Sequence, residues 1–420
     1  MNEQTRHGDW IIDEPDRFKV HRSVYTDTLT FERELRQVYY RNWVYVAHGS
    51  EIPRPGDYRT TTIGRQPVIV SRDDDGGVHV LLNRCSHRGA VVCREDRGHS
   101  NFFRCFYHNW IYDKAGKLVG TAQRSGYPDD FDHEEMSLVS AAHVVDYRGL
   151  IFAALTDDVP PFEERFDPIR PYVDDWIDRS PEGSVHVSPI AESYSYPANW
   201  KFQAENGVDG YHGNYVHESY AKILERAGER TLRDITAARG RIGAVNRAKG
   251  LATGDGLLER DSAMLGSFDT EKVPEFRQEL VDAYGEERAK SILMMRNLYI
   301  FPNLYLFESH LRVLRPLGVA ETVADNYFAY LDGVSDEINT ARLREHERFF
   351  GSAGFGASDD VEVFVYNQTG MKAEAVEWVD LSRGLHREER NEAGEWVGHT
   401  TDEQPQRALY RRWSALMGRD

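Results

Sequence analysis

Two short segments, each holding one cysteine and one histidine, place the strongest constraint on what this chain can fold into. They are Cys85-x-His87 and Cys105-x-x-His108, with seventeen residues between His87 and Cys105. Four such ligands on two tight turns suit either a zinc ion or an iron–sulfur cluster. Because each turn mixes both ligand types, we favour a [2Fe–2S] cluster with thiolates on one iron and imidazoles on the other, with zinc as the alternative. Cys93, between the turns, is predicted to be a small buried residue.

The charge balance narrows the class of partner. The chain has 420 residues, 51 of them basic and 69 acidic, and its net charge of −18 argues against nucleic acid or an anionic membrane. No apolar run reaches the length of a membrane span. The polar, acidic N-terminus resembles neither a signal nor a transit peptide, so a cytoplasmic protein is expected.

The pattern of apolar and polar residues changes along the chain. From about residue 40 to 155 it alternates short apolar runs with turns, as in the hairpin patterns at 66–85 and 110–122. A proline-rich connector at 156–171 leads into mixed helix and strand. We therefore predict the α+β class: a small all-β domain at 40–155 and a larger domain formed by 1–39 and 156–420, an antiparallel sheet flanked by helices. The packing of the first 39 residues stays open.

A second group of candidate ligands lies in "NWKFQAENGVDGYHGNYVHESY", where Asp209, His212 and His217 form D-x-x-H-x4-H. On a regular helix, at about 100° per residue, the two histidines point roughly 140° apart. Both reach one metal only if the helix is widened or broken, and residues 213–214 are the expected break. With a carboxylate from elsewhere, two imidazoles form the facial triad of non-haem iron(II) oxygenases.

These motifs together resemble a known family. "RCSHRGA" and "CFYHNWIYDKAG" are similar to the ligand loops of Rieske proteins, although Phe106 stands where the family often has proline and Asn109 where it usually has glycine. Followed by "ENGVDGYHGNYVH", they resemble the large (α) subunit of Rieske non-haem iron aromatic-ring-hydroxylating oxygenases over most of the chain. "WVDLSRG" and "TDEQPQRALYRRW" are most similar to the benzoate/anthranilate/cumate dioxygenase branch.

The resemblance implies how the iron is held. The mononuclear Fe(II) would take His212, His217 and a distant aspartate from "AGFGASDDVEVF", which matches Asp360, with Asp359 as the alternative. The same pair of aspartates could instead cap a helix. Asn206 and Tyr211 are candidates for residues that shape the substrate route near iron, with a packing role as the alternative for each.

The resemblance also assigns Asp209 a bridging role. Its carboxylate would hydrogen-bond His212 on one side and the cluster ligand His108 of a neighbouring subunit on the other. The working unit would then be an oligomer, either an α3β3 assembly with a small β subunit or at least an α3 trimer.

The implied activity is that of a terminal oxygenase that uses O2 and two electrons to cis-dihydroxylate an aromatic ring. The branch suggests a benzoate-like aromatic carboxylate, including the phthalate isomers. No strand–GxGxxG–helix pattern is found, so an NAD(P)H-dependent reductase, with or without a ferredoxin, would supply electrons. A Rieske monooxygenase or O-demethylase is the alternative within the family, and an electron-transfer protein is the alternative outside it.

A carboxylate substrate calls for a fixed cation, and a guanidinium binds it with two hydrogen bonds. Strict alternation along "NLYLFESHLRVLRP" puts Glu308, His310 and Arg312 on one face of a strand. We take Arg312 as the candidate for the substrate carboxylate. An ion pair between Arg312 and Glu308 is the competing interpretation.

Overall fold

The computed structural model describes residues 10–228, 246–260, 264–265 and 268–418. The chain divides into two compact units, Tyr39–Phe162 and the combination of Met1–Val38 with Glu163–Asp420. The smaller unit is built from strands, and the larger mixes helices with an antiparallel sheet, as the predicted α+β class requires. Within these described ranges, no helix combines the length and apolar character needed to cross a membrane.

The first described segment packs on the larger unit. It comprises β1 Ile11–Glu14, β2 Arg17–His21, α1 Ser23–Thr26 and α2 Thr28–Glu34, followed by one wide π-helical turn at Leu35–Tyr39. Asp27 caps α2 by accepting a hydrogen bond from Thr30 N. Strand β2 pairs with the strand Trp378–Asp380 from near the other end of the chain. This long-range pairing answers the question that the sequence left open for the N-terminal segment.

The smaller unit consists of short antiparallel strands. They are β3 Val44–His48, β4 Asp57–Ile63, β5 Gln66–Arg72, β6 Val78–Leu82, β7 Arg97–His99, β8 Phe103–Arg104, β9 Ile111–Tyr112, β10 Leu118–Gly120, β11 His143–Tyr147 and β12 Leu150–Ala154, with 3-10 turns at Gly49–Glu51 and Arg124–Gly126. Three sheets result, with strand orders β6-β5-β4-β7, β10-β9-β8 and β11-β12-β3. Both predicted hairpins form, β5 with β6 and β9 with β10.

The larger unit contains the remaining elements. Its helices are α3 Phe162–Phe166, α4 Arg170–Ile177, α5 Trp200–Asn206, α6 Gly213–Val216, α7 Glu218–Ala227, α8 Pro274–Tyr284, α9 Glu286–Ile292, α10 Asp336–Phe349, α11 Phe355–Gly370 and α12 Gln404–Met417, with 3-10 turns at Thr270–Lys272 and Leu385–Arg387. Its strands are β13 Val185–Val187, β14 Glu192–Tyr196, β15 Asn246–Gly250, β16 Gly256–Arg260, β17 Met264–Leu265, β18 Phe268–Asp269, β19 Met295–Ile300, β20 Leu304–Leu306, β21 His310–Gly318, β22 Glu321–Leu331, β23 Trp378–Asp380, β24 Glu389–Arg390 and β25 Trp396–His399.

One large antiparallel sheet organises this unit. Its order is β13-β22-β21-β20-β19-β16-β15-β25-β24, and β14 also pairs with β22. Strands β20 to β22 are almost continuously buried because helices cover them. Helix α10 begins after Ser335, whose Oγ accepts a hydrogen bond from Ile338 N at 3.4 Å and caps the helix.

Candidate metal centres

The two cysteine loops of the smaller unit share one backbone geometry. Gly89 N donates to Cys85 O at 2.9 Å, and Asn109 N donates to Cys105 O at 3.0 Å. Gly89 has φ +75° and Asn109 has φ +58°, so both occupy the left-handed region. Asparagine is one of the few residues with a side chain that enters this region readily. Asn109 therefore holds the same left-handed backbone position in the second loop that Gly89 holds in the first.

The loops bring the four predicted cluster ligands together. The cysteines are buried, at 2% exposure for Cys85 and 1% for Cys105. Burial raises the pKa of Cys105, and its hydrogen bond with Cys85 raises it further. The rings of His87 and His108 lie 4.5 Å apart. This set of two inner thiols and two outer imidazoles fits a [2Fe–2S] cluster of the Rieske type.

Neighbouring side chains hold this arrangement. Trp110 stacks on His87 with ring centroids 4.8 Å apart. The hydroxyl of Tyr112 lies 3.2 Å from Cys85 Sγ and accepts from Ser86 N at 3.2 Å. Hydrogen bonds to a ligand sulfur tune the potential of a cluster. Cys93 is buried in the adjoining core, as predicted.

The second motif lies where helices are interrupted. Helix α5 ends at Asn206, α6 spans Gly213–Val216 and α7 begins at Glu218. The predicted break is confirmed, but the position at 213–214 is wrong. Those residues form the first turn of α6, and the chain leaves the helical path at His217, with φ −96° and ψ 27°. His212 thus precedes one short helix and His217 precedes the next.

This break lets both histidines meet Asp360. The Nε2 atoms of His212 and His217 lie 3.6 and 3.4 Å from Asp360 Oδ1. One ligand atom from each residue can be chosen so that all three lie within 4.8 Å of one another. In the described part of the chain, these three side chains form the cluster whose spacing could hold a metal ion. Two imidazoles and one carboxylate at such distances fit a non-haem iron.

The contacts around Asp360 distinguish it from Asp359. Asp359 Oδ2 lies 3.4 Å from Nδ1 of His217, the ring nitrogen turned away from Asp360. Asn206 Nδ2 donates to Asp360 Oδ1 at 3.1 Å, so the contact seen for Asn206 is with the candidate ligand. The capping interpretation of the aspartate pair is wrong, because α11 is capped at Gly354 and both aspartates lie inside it.

Asp209 lies on the other side of His212. Its Oδ2 is 3.5 Å from His212 Nδ1, and Oδ1 accepts from Tyr211 N at 2.5 Å. Burial raises the pKa of Asp209, but the hydrogen bond and charge of His212 outweigh burial and hold the pKa below its usual value. The side chain keeps 30% exposure. Asp209 is therefore an ionised carboxylate between the candidate iron site and the surface of the unit.

The position of Gly210, directly after Asp209, has no room for a side chain. A Cβ atom on Gly210 would lie 2.1 Å from the carbonyl oxygen of Thr400, far inside contact distance. Tyr211 is partly exposed and lies under the guanidinium of Arg383, 3.9 Å from ring centroid to Cζ. The structure thus places Tyr211 at the surface next to Asp209.

The predicted alternation is wrong for Glu308, whereas His310 and Arg312 lie two residues apart on one strand, β21. The chain reverses at residues 307–309, where Phe307 N donates to His310 O at 2.9 Å, so β20 and β21 are separate antiparallel strands. The competing ion pair with Glu308 is also wrong, because Glu308 Oε1 pairs with Arg342 Nε at 3.2 Å. Arg312 has 3% exposure and donates from Nε to Asn326 Oδ1 at 2.7 Å.

No sequence motif assigns a role to two carboxyl groups near the site, Glu205 and Glu403. Burial raises the pKa of Glu205 to about 7, where Tyr25 and Tyr410 both donate to its Oε1. Burial also raises the pKa of Glu403 to about 7, and the charge of Asp209 adds to this shift. No local pattern could have revealed either group, since their partners come from distant segments.

Comparison with known proteins bears on both units. Residues 42–129 match the model of the Rieske [2Fe-2S] domain, and residues 186–418 match that of the ring hydroxylating alpha subunit (catalytic domain). The 2-halobenzoate 1,2-dioxygenase large subunit of Burkholderia cepacia is 36% identical over 87% of this chain and 80% of its own. The toluate 1,2-dioxygenase subunit alpha of Pseudomonas putida is 36% identical over 90% of this chain and 84% of its own.

A solved structure of naphthalene 1,2-dioxygenase with bound indole has the same fold, with a TM-score of 0.87 at 24% identity over 98% of this chain and 95% of its own. The catalytic-domain match excludes the electron-carrier alternative. The two centres, the two family models and the named relatives lead to one conclusion: the chain belongs to the ring-hydroxylating dioxygenase family, as a large subunit that carries a Rieske [2Fe–2S] cluster and a mononuclear iron.

Proposed function

We propose that this large subunit cis-dihydroxylates the ring of an aromatic carboxylate. The reaction would combine the arene, O2, two electrons and two protons into a cis-dihydrodiol. When bound, the iron would activate O2 beside the ring, since three protein ligands leave coordination positions open. The residues proposed to hold it are His212, His217 and Asp360, and those proposed for the cluster are Cys85, His87, Cys105 and His108.

The buried guanidinium of Arg312 carries the proposal. Among the described residues, no acidic side chain forms a salt bridge with it, and its hydrogen bond uses Nε alone. A buried cation without a counter-ion is costly unless a ligand supplies the charge. The two terminal nitrogens match the geometry of a carboxylate. An aromatic acid would complete this site.

An aromatic path leads from the proposed iron site to Arg312. Phe349 lies 5.1 Å from His217 in ring-centroid distance, and Phe350 lies 4.7 Å from Phe349. Phe350 in turn lies 5.4 Å from Phe307, and Arg312 sits over Phe307 at 4.8 Å. Aromatic walls suit a flat apolar ring. A benzoate-sized molecule would thus point its ring toward iron and its carboxylate toward Arg312.

The names of relatives support the same substrate class. The relatives include large subunits named for 2-halobenzoate, toluate and anthranilate, all of which are aromatic acids. We assign electron supply to a separate NAD(P)H-dependent reductase, with or without a ferredoxin. A small β subunit in an α3β3 assembly, or at least an α3 trimer, is part of the proposal. Asp209 lies beside His212 and is partly exposed. We propose that its carboxylate accepts a hydrogen bond from the cluster ligand His108 of the next subunit.

The test is substrate-dependent O2 uptake with a surrogate reductase, using benzoate and its neutral methyl ester. Arg312→Gln should raise KM for benzoate by at least about tenfold, because a charge-assisted hydrogen bond is lost. Arg315→Gln is the matched control on the same strand, since Arg315 already pairs with Asp325. An unchanged KM in Arg312→Gln would remove the assignment. Labelled O2 should place both oxygen atoms in the product, whereas one atom would indicate a monooxygenase.

A further inference from the structure

Two imidazoles and a hydroxyl form a buried polar row near Arg312. His310, Ser309 and His346 are each almost fully buried. Ser309 Oγ lies 3.3 Å from His310 Nδ1 and 3.4 Å from His346 Nδ1. His346 Nε2 lies 3.6 Å from Oε1 of Glu192, whose side chain is 35% exposed. The row thus runs from a partly exposed carboxylate into the interior.

The donors along this row all point toward Glu192. The close contact with His346 lowers the pKa of Glu192, whose Oε2 accepts a hydrogen bond from Ser352 N at 3.1 Å, so Glu192 is an ionised acceptor. At 3.6 Å the contact is electrostatic, and among the described residues Nε2 of His346 has no hydrogen-bond partner. The negative charge of Glu192 favours the tautomer of His346 that turns Nε2–H toward it. A neutral imidazole carries one N–H, so Nδ1 of His346 accepts from the hydroxyl of Ser309.

The same count of N–H and O–H groups determines the tautomer of His310. With its hydrogen directed to His346, Ser309 Oγ accepts from Nδ1–H of His310. Burial lowers the pKa of His310 well below its usual value, so the ring is neutral. Its Nε2 therefore carries a free lone pair. This atom is buried and has no hydrogen-bond partner in the part of the chain that the structure describes.

The free nitrogen belongs to the carboxylate end of the proposed substrate site. His310 and Arg312 are two residues apart on β21, so they share one face of the sheet. Both contact Phe307, His310 by stacking at 4.7 Å and Arg312 at 4.8 Å. Phe350 lies 4.8 Å from His310 and continues toward the proposed iron site.

We infer that Nε2 of His310 accepts a hydrogen bond from an amino or hydroxyl group beside the carboxylate on the substrate ring. The inference rests on the proposed function, because it takes Arg312 as the carboxylate site. A ring donor satisfies the buried acceptor, whereas a methyl group or halogen leaves it without a partner. His310 thus selects amino- or hydroxy-substituted aromatic acids over apolar analogues of similar size.

The selectivity ratio is kcat/KM for 2-aminobenzoate divided by kcat/KM for 2-methylbenzoate, measured as substrate loss. The two molecules have nearly the same shape, and the ratio should be about tenfold or more in the native enzyme. His310→Leu should bring the ratio close to one. Glu192→Gln tests the direction of the row without touching the substrate site.

In Glu192→Gln, Ser352 N–H holds the amide oxygen, so the amide nitrogen faces His346 and donates to it. The whole row then reverses, Nε2 of His310 carries a hydrogen, and the preference for 2-aminobenzoate disappears. Glu321→Gln, an exposed acid at the start of β22, is the matched control and should keep the native ratio.

The outcomes separate the two proposals. A native ratio near one, or a high ratio that survives in both His310→Leu and Glu192→Gln, overturns the role of His310 while aromatic acids remain substrates. If neither acid nor benzoate is consumed, the proposed function itself fails. Because Glu192 is partly exposed, its variant keeps the test valid even if His310→Leu does not fold.

Discussion

The buried carboxyl group of Glu205 makes the stability of this protein depend on pH in an unusual direction. Burial raises its pKa from 4.5 to about 7, despite the hydrogen bonds donated by Tyr25 and Tyr410. The folded state therefore holds a proton that the unfolded state releases between these two pH values. Stability is highest at acidic pH and falls as pH rises through this window, because ionisation in the folded state is penalised.

The magnitude follows from the shift. A rise from 4.5 to about 7 corresponds to roughly 3 kcal/mol of destabilisation above pH 7, at about 1.36 kcal/mol per pKa unit. Glu205→Gln replaces the protonated carboxyl with a neutral group of the same shape. The variant should differ from the native protein by less than about 1 kcal/mol at pH 5 and be more stable at pH 8, by up to that amount.

Thermal unfolding at pH 5 and pH 8, followed by circular dichroism, measures the effect as a rise of a few degrees in the midpoint at pH 8 and a much smaller rise at pH 5. Glu321→Gln is the control, since an exposed acid should change neither midpoint. A loss of stability at pH 8, or an equal gain at both pH values, would refute the argument that Glu205 is protonated in the fold.

Two further predictions concern the metal centres. Tyr112→Phe removes the hydroxyl beside Cys85 Sγ and should lower the cluster potential by about 40 mV in a redox titration, if that hydrogen bond is worth about 1 kcal/mol; an unchanged potential would show that the contact does not tune the cluster. Asp360→Ala should reduce iron from about three to about two atoms per chain, whereas Asp359→Ala should keep the third. Equal loss in both variants would mean that the two aspartates share the ligand role.

The sequence by itself determined the features that depend on residues close together in the chain. The two cysteine loops carry their ligands within three residues of one another, so their spacing predicted the cluster. His212 and His217 were found in the same way, and with them the need for a helix break. The resemblance then located Asp360, which no spacing rule could have linked to histidines more than 140 residues away.

Only the tertiary structure decided the features that arise from long-range contacts. The helix break falls at His217 because α6 takes up Gly213–Val216. Arg312 is separated from Glu308 because the chain reverses at 307–309, which alternation along one strand could not reveal.

The row from Glu192 to His310 joins three distant segments, and its direction follows from a charge at one end. The local pattern of residues determines which ligands the chain offers. Burial and pairing between distant strands determine which buried groups lack a partner, and the proposed substrate site rests on those groups.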